Sequence, residues 1–268
     1  MSPEGATTGG RFGDEGFPVV VAHRGASSTH PENTLASFDA ALSLGARLVE
    51  MDVRLTVDGV PVILHDPDVS RTTDGHGFVH ELSLEQVRSL DAGTPERPER
   101  VPTLREALEL VGGRGGVALE IKNLPGEPTF QEDGEAVVEA AASELERTGF
   151  EGPILFLSFN PRSIAEARRL VPRAATGFLV TDATPSDLAL KHAVEMGHDV
   201  LLPGSRGLMA AGRTFVARTH DAGVRVGTWT VDDPDDFRRL LEWRVDAVAT
   251  NDPAMGLRVL SEWRAGTT

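Results

Sequence analysis

The sequence predicts an α/β protein built as a (β/α)8 TIM barrel with a small insertion after the second strand. The chain has 268 residues, which is close to the ~250 residues of a typical barrel of this kind. Eight short apolar runs alternate with amphipathic helical stretches, and this alternation implies parallel strands with helices outside. An open doubly wound sheet usually stops at about five to seven strands, so it is the minority alternative.

The eight predicted strands are runs of apolar and β-branched residues bounded by residues that favour turns. In chain order they are Pro18–Ala22, Arg47–Val53, Val117–Ile121, Ile154–Ser158, Ala174–Val180, Asp199–Leu202, Val224–Thr228 and Val245–Thr250. Amphipathic helices are predicted at Thr34–Leu44, Glu135–Glu146, Arg162–Val171, Asp187–Met196 and Asp235–Trp243. Four helix starts are predicted where a capping side chain precedes a proline. They are Asn160-Pro161, Thr184-Pro185, Asp233-Pro234 and Asp252-Pro253.

The alternation is interrupted at roughly residues 55 to 102, which we interpret as an insertion. Asp58-Gly59 stands between two apolar runs and predicts a hairpin. A capping box that begins at Ser83 predicts one short helix, and a second box, at Thr103, restarts the barrel pattern. Long insertions in compact folds are usually either functional or disordered.

Composition limits the partners and ligands. The formal net charge is −15, which argues against nucleic acid and anionic membranes as partners. There is no cysteine, so a metal would need carboxylates, histidines or carbonyls. We expect residues 1–16 to form a flexible tail, without a signal peptide, and residues 17–265 to form a single catalytic domain. With no apolar run of ~18 residues, a cytoplasmic protein without stable membrane anchoring is predicted.

Charged residues occupy strand positions where a core would be expected. Because side chains alternate along a strand, Glu50 and Asp52 share one face of the second strand. Glu120 and Lys122 share one face of the third. Such charges could simply face water at a sheet edge. A histidine-arginine pair at positions 23 and 24, also at a strand end, favours instead a site at the barrel mouth, where barrel enzymes build their active sites.

These residue types predict phosphate-ester chemistry. Three carboxylates from neighbouring strands suit one hard divalent cation, Mg²⁺ or Ca²⁺. His23 and His65, with no nucleophile motif nearby, suit general acid–base work near neutral pH. Arg24 and Lys122 add positive charge, and Lys122 is one of only two lysines in the chain. Lysine rather than arginine at this position therefore either reflects a need for a compact ammonium or occurs by chance.

Several motifs, in order, resemble those of glycerophosphodiester phosphodiesterases. They are "AHRG", "PENT", "VEMDVRLTVDGVPVILHD", "RTTDGHG", "PTLREAL", "LEIKN", "LSFN" and "GTWTVDDP", between about residues 20 and 253. The resemblance implies a TIM barrel that hydrolyses small soluble glycerophosphodiesters to glycerol 3-phosphate and an alcohol, through a cyclic phosphate.

The resemblance also implies roles for individual residues. His23 and His65 match the acid–base pair, and neither is assigned as acid or as base. The metal ligands are Glu50, Asp52 and Glu120, for Mg²⁺ or Ca²⁺, with Mn²⁺ possible. The expected substrate-binding residues are Arg24, Lys122, Trp229 and Phe159, although Phe159 could equally plug the barrel.

The chain departs from the family pattern at Leu157 and Asn251, and we expect neither change to touch a catalytic position. Two other functions remain open. One is a catalytically silent barrel that binds a phosphoester, which the presence of both histidines disfavours. The other is a phospholipase-type phosphodiesterase that acts on lipids, which the acidic and aromatic-poor composition disfavours.

Overall fold

A computed structural model of the chain describes residues 18–266, so the predicted tail, residues 1–16, lies outside the described part. Within these residues the strands are β1 (Val19–Ala22), β2 (Leu48–Leu55), β3 (Pro61–Ile63), β4 (Gly116–Ile121), β5 (Ile154–Ser158), β6 (Ala175–Val180), β7 (Val200–Pro203), β8 (Arg225–Thr228) and β9 (Ala247–Thr250). The α-helices are α1 (Leu35–Ser43), α2 (Leu84–Arg88), α3 (Leu104–Val111), α4 (Ala136–Thr148), α5 (Pro161–Leu170), α6 (Ser186–Met196), α7 (Ser205–Asp221), α8 (Pro234–Glu242) and α9 (Pro253–Gly266).

Eight strands close into a parallel barrel. The order around it is β1, β9, β8, β7, β6, β5, β4 and β2, and β2 pairs again with β1. β3 lies outside this ring and pairs with β2 in antiparallel fashion. The predicted barrel and all eight predicted strands are confirmed, and the open-sheet alternative is wrong.

Side chains of the barrel strands separate into two layers. Outward-facing residues such as Met51 and Val53 on β2 and Leu119 on β4 pack with the helices. Inward-facing residues such as Ala118 and Leu155 form a second apolar cluster inside the barrel. Because of this alternation, the charged residues of β2 and β4 face the barrel interior rather than the helix layer.

Three of the four predicted helix starts have the predicted capping side chain before the proline. Asn160 and Asp233 accept hydrogen bonds at the starts of α5 and α8, and Asp252 accepts one from Met255 N in α9. The predicted cap at Thr184 is wrong, because α6 begins after Pro185 and no side-chain cap bond forms there. Proline can precede a helix without a capping side chain, since its φ is already fixed.

The insertion is an ordered element with its own small core. The predicted hairpin joins β2 to β3, and both predicted capping boxes form, at Ser83 and Thr103. A separate apolar cluster holds the segment together and includes Val69, Val79 and Val87. None of the described helices is long and apolar enough to cross a bilayer.

Candidate active site

The end of β1 turns sharply toward the barrel mouth. Arg24 and Gly25 both have positive φ, 56° and 83°, and a Cβ at Gly25 would lie 2.2 Å from Ser37 Oγ. Glycine therefore fits where a larger residue would clash. The turn aims the Arg24 amide inward, where it donates a hydrogen bond of 2.8 Å to Glu50 Oε2.

Three buried carboxylates meet at the mouth, and these are the predicted metal ligands. Glu50 and Asp52 come from β2 and Glu120 from β4, where Asp52 and Glu120 are paired in the strand register. One oxygen of each lies within 4.8 Å of the others, and the three residues are at most 8% exposed. The alternative in which these charges face water is wrong.

Two cations and an amide border this acidic cluster. Lys122 Nζ lies 3.0 Å from Asp52 Oδ1 and also contacts Glu120 Oε1. Arg24 Nε lies 3.2 Å from Asp52 Oδ2, to which Asn33 Nδ2 donates a hydrogen bond of 2.7 Å. Burial would raise the pKa of Asp52, but Lys122 and Arg24 outweigh it and hold that pKa below its usual value.

The carboxylate chemistry fits a hard divalent cation. Burial, together with the charges of Asp52 and Glu120, raises the pKa of Glu50 well above its usual value. Glu50 Oε1 is buried and has no hydrogen-bond partner among the described residues. Burial also raises the pKa of Glu120. Carboxylates that repel one another, with a buried oxygen of Glu50 that lacks a donor, are what a bound Mg²⁺ or Ca²⁺ would satisfy.

His65 sits at the root of the insertion, beside this cluster. Its Nδ1 lies 2.5 Å from Asp66 Oδ1. Asp66 in turn accepts from Arg71 Nε, and Arg71 donates two further bonds, of 3.0 and 2.7 Å, to Glu32. Burial would raise the pKa of Asp66, but hydrogen bonds from Arg71 and His65 lower it to about 2. Glu32 also accepts from Arg24 Nη1 at 2.9 Å, so the network reaches both sides of the site.

His23, at the end of β1, has a different partner. Its Nδ1 lies 2.8 Å from Asn251 Oδ1, and its Nε2 lies 4.0 Å from Glu50 Oε2. Burial and then the charge of Arg24 lower the pKa of His23. The expectation that the departure at Asn251 touches no catalytic candidate is therefore wrong. The two residues are 228 positions apart in the chain. Strand alternation does not predict such a pairing, because it gives the face of a side chain and not its partner.

Sequence reasoning also missed Arg54 on β2, which holds the backbone at His65. Its side chain is almost fully buried and donates two hydrogen bonds to the His65 carbonyl, at 2.8 and 2.6 Å. The same guanidinium lies 2.7 Å from Glu127 Oε2 and donates to Thr129, in the loop after β4. An arginine between the apolar residues Val53 and Leu55, at the end of a buried strand, was a signal for this contact, since buried charges require partners.

Phe159 and Trp229 lie together at the mouth. Their rings meet edge to face with centroids 5.5 Å apart, and both side chains pack against the apolar cluster inside the barrel. The Trp229 indole donates a hydrogen bond of 3.0 Å to the Leu202 carbonyl, which fixes the ring. Trp229 also lines a narrow cavity of about 30 Å³ together with His23 and Glu50.

A wide polar groove opens beside the network of Glu32 and Arg71. It has a volume of about 750 Å³. One wall is formed by residues 27–32 of the loop after β1, and the other by residues 71–74 and 91–95 of the insertion. Serine and threonine side chains line much of it, so it offers hydroxyl groups beside apolar surface.

The chain matches proteins of known family along most of its length. The sequence profile of the glycerophosphoryl diester phosphodiesterase family matches residues 23–255. A glycerophosphodiester phosphodiesterase of Caldanaerobacter subterraneus subsp. tengcongensis is 34% identical over 249 residues, which cover 88% of this chain and 94% of that protein. A probable glycerophosphodiester phosphodiesterase 1 of Mycobacterium tuberculosis is 32% identical over 94% of this chain and 96% of its own.

Solved structures match the fold as well. A phosphodiesterase of Oleispira antarctica, solved with sn-glycerol-3-phosphate, superposes with a TM-score of 0.82 at 32% identity, over 91% of this chain and 97% of its own. A putative glycerophosphoryl diester phosphodiesterase of Silicibacter pomeroyi gives the same TM-score at 28% identity, over 93% and 95% of the two chains. The chain therefore belongs to the glycerophosphoryl diester phosphodiesterase family and is a phosphoric diester hydrolase.

Proposed function

We propose that this enzyme hydrolyses small soluble glycerophosphodiesters to glycerol 3-phosphate and an alcohol, by histidine acid–base catalysis with one divalent cation. The observation that carries the proposal is the juxtaposition at one barrel mouth of three buried carboxylates, two cations and two histidines. The Oleispira antarctica relative was solved with the product sn-glycerol-3-phosphate, which supports the glycerol side of this assignment.

Glu50, Asp52 and Glu120 are the residues that would hold the cation, with Mg²⁺, Ca²⁺ or Mn²⁺ suiting an all-oxygen set. When bound, such an ion supplies positive charge that offsets charge building up on the phosphate oxygens. Arg24 and Lys122 contribute to the same end. They are the buried cations of the cluster, and each already faces the carboxylates that share the site.

The reaction would proceed in two steps. In the first, the glycerol C2 hydroxyl oxygen forms a bond to phosphorus while the bond from phosphorus to the departing alcohol oxygen breaks. One histidine of the pair His23 and His65 accepts the hydroxyl proton, and the other gives a proton to the leaving oxygen. In the second step water opens the cyclic phosphate, and the two histidines exchange roles.

The two ends of the substrate would lie on different sides of the mouth. Phe159 and Trp229 offer an apolar edge for the glycerol carbons, beside His23. The polar groove between residues 27–32 and the insertion lies beside Arg71, whose partner Asp66 contacts His65, and it would receive the alcohol. We therefore expect changes in the insertion to alter the choice of alcohol more than metal affinity.

The remaining alternatives receive less support. A silent phosphoester-binding barrel would not need both histidines beside the cluster. A lipid-directed phosphodiesterase would need an apolar surface around the mouth. Of the five large apolar side chains that are exposed among the described residues, three lie on α6 in the outer helix layer and one, Leu44, follows α1. Only Val57 lies in the hairpin between β2 and β3.

A rate panel of glycerophosphodiesters tests the proposal, measured with EDTA and with each metal restored. Activity should vanish in EDTA and return with Mg²⁺, Ca²⁺ or Mn²⁺, and full activity in metal-free protein would exclude the metal role.

His23→Ala and His65→Ala should each cost about 10²–10⁴-fold in kcat/KM. The double variant should lose much less than the product of both losses, since groups acting as one unit are not additive. Near-parental rates in both single variants would reopen the silent-barrel alternative.

A further inference from the structure

The side chain that faces His23 is an amide, and its own orientation is determined by a third residue. Asn251 Oδ1 lies 2.8 Å from His23 Nδ1, and Asn251 Nδ2 donates a hydrogen bond of 2.7 Å to Asp232 Oδ2. The Asn251 backbone amide also donates to Asp232, at 2.8 Å to Oδ1, and Thr250 Oγ1 donates to the same oxygen at 2.9 Å. Asp232 is therefore held in place by three donors.

The opposite orientation of the amide is disfavoured on chemical grounds. An ionised carboxylate offers only acceptors. If the amide were rotated by half a turn, Asn251 Oδ1 would face Asp232 Oδ2 at the present separation of 2.7 Å, which places two acceptors against each other. The Ser27 hydroxyl lies 3.0 Å from Asn251 Oδ1 and 2.7 Å from the His23 carbonyl oxygen. Because it has a single hydrogen and can also accept, it fits either orientation of the amide, and Asp232 alone determines which one is adopted.

This orientation determines where the imidazole proton sits. A neutral histidine carries one N–H and one lone pair, and Asn251 Oδ1 can only accept. His23 Nδ1 must then carry the proton, and Nε2 must carry the lone pair. Nε2 is the nitrogen that lies toward the acidic cluster, 4.0 Å from Glu50 Oε2, so the lone pair points to the place where the reaction is proposed to occur.

We propose that Asn251, oriented by Asp232, is a positioning residue that holds His23 in its Nδ1–H tautomer and so presents Nε2 as the proton acceptor for the first step. The inference rests on the proposed acid–base role of His23 and deepens it. It assigns the acceptance of the glycerol hydroxyl proton to His23, and leaves His65 to protonate the departing alcohol. The roles reverse when water opens the cyclic phosphate.

Nitrogen NMR tests the tautomer directly, without measuring activity. In protein labelled with ¹⁵N-histidine, long-range proton–nitrogen correlations distinguish a protonated ring nitrogen from one with a lone pair, and His23→Gln identifies the His23 signals. At a pH where the ring is neutral, we expect Nδ1 protonated and Nε2 unprotonated, both with EDTA and with Mg²⁺. An Nε2–H tautomer in the parent protein would overturn the inference.

Substitutions then test whether the tautomer affects the rate. Asn251→Leu removes the acceptor at similar volume, so the His23 signals should change to a mixture of tautomers. Its kcat should fall about 10- to 100-fold, as for other partners that orient a functional histidine, with little change in KM. The His65 signals should stay as they are, because Asp66 is the partner of that ring. An unchanged tautomer or parental kcat in Asn251→Leu would contradict the proposal.

A paired exchange provides the rescue. In the double variant Asn251→Asp with Asp232→Asn, a carboxylate faces His23 Nδ1 and the new amide can donate to it, so an acceptor for the ring proton is retained. We expect the Nδ1–H tautomer to be restored and kcat to exceed that of Asn251→Leu clearly. Failure of this rescue would mean that Asn251 serves only local packing. Separately, parental activity of His23→Gln would refute the catalytic role of His23, while the spectrum would still determine the tautomer.

Discussion

Two buried cations face one carboxylate from opposite oxygens, and their shapes differ. Lys122 Nζ lies 3.0 Å from Asp52 Oδ1, whereas Arg24 Nε lies 3.2 Å from Asp52 Oδ2. Lys122 is a point charge that fits between Asp52 and Glu120, while Arg24 spreads its donors over Asp52 and Glu32. Asp52 and Glu120 outweigh burial and raise the pKa of Lys122, so it stays charged in this position.

We expect Lys122→Arg to impair catalysis although the charge is kept. The guanidinium is larger and fixes the direction of its donors, and the space between two strand carboxylates is closed, with Lys122 only 5% exposed. The value of kcat/KM should fall about tenfold or more, consistent with at least ~1.4 kcal/mol of lost transition-state stabilisation. Lys191→Arg is a matched control, because Lys191 is the other lysine and is exposed on α6. Equal kcat/KM in both variants would show that Lys122 is only a generic cation.

The alternation of residues along each strand predicted which face of the sheet a side chain occupies, but it did not predict which residue that side chain contacts. Period-two alternation was enough to bring Glu50, Asp52 and Glu120 together, because neighbouring parallel strands place their ends at one mouth. The contact of His23 with Asn251 depends on closure of β1 against β9. Such a contact depends on loop geometry beyond the strand end, for which the sequence carries no periodic signal.

At the scale of elements, strands and capping boxes could be predicted because their signals are local. Each strand is a short apolar run, and a capping box needs only two residues three positions apart. The long helix α7 was not predicted, because Gly212 interrupts it with a φ of 75° and its apolar pattern is weak. The orientation of the insertion could not be predicted either, because it depends on ion pairs between distant loops.

The insertion contributes Arg71, which we expect to matter for turnover more than for stability. Its guanidinium joins Asp66 to Glu32, and each of these carboxylates contacts a proposed catalytic or phosphate-binding residue. Arg71→Leu should lower kcat about tenfold while Tm changes little, because ion pairs of half-exposed side chains stabilise only weakly.

Arg71→Lys should recover little of the loss, because three separate nitrogens of Arg71 contact Asp66 and both oxygens of Glu32, and a single ammonium nitrogen cannot occupy all three positions. Arg100→Leu is the control, an exposed arginine of the same insertion. Steady-state kinetics and thermal melts of the three variants distinguish a role of Arg71 in turnover from a role in folding. A fall in Tm that accounts for the whole loss of activity would make Arg71 a folding residue.

The junction of α6 and β7 contains a histidine that should make the protein sensitive to acid. His198 is 4% exposed, neither ring nitrogen has a hydrogen-bond partner among the described residues, and the ring stacks on Phe178 with centroids 5.4 Å apart. Burial, and then the charge of Arg168 and of His192, lowers its pKa to about 4, against the smaller opposing effect of Asp199.

The direction of the pH effect follows from the lowered pKa. Above the unfolded value of about 6.5 His198 is neutral in both states and contributes no pH dependence. As the pH falls from there to about 4, the unfolded chain binds the proton first, so stability is lost, by at most about 3 kcal/mol and less where water reaches the ring. His198→Phe should flatten this part of the curve of unfolding free energy against pH, whereas the exposed His76→Gln should not. Parallel curves for His198→Phe and the parent would refute the assignment.

At the scale of the whole molecule, an acidic chain carries its most costly charges at the centre. The formal net charge is −15, and the three carboxylates of the mouth are buried among like charges. The rest of the barrel holds them there, because β2 and β4 are paired along their length and packed by helices. Without a bound cation this arrangement costs stability, and with one it becomes a source of stability.

Glu50→Gln should therefore separate stability from function. The pKa of Glu50 is raised in the folded state, so in metal-free protein stability is lost as the pH rises from the unfolded value of about 4.3 through the folded one. Removing the charge should leave the metal-free Tm at neutral pH equal to or above that of the parent.

Saturating Mg²⁺ or Ca²⁺ at 100 times Kd should stabilise the parent by about 2.7 kcal/mol, which raises Tm by several degrees in a chain of this size. In Glu50→Gln this increment should largely disappear together with activity, and in Glu151→Gln, where the side chain is exposed, it should persist. Thermal melts with EDTA and with each metal measure both quantities, and a parental metal increment in Glu50→Gln would exclude Glu50 as a ligand.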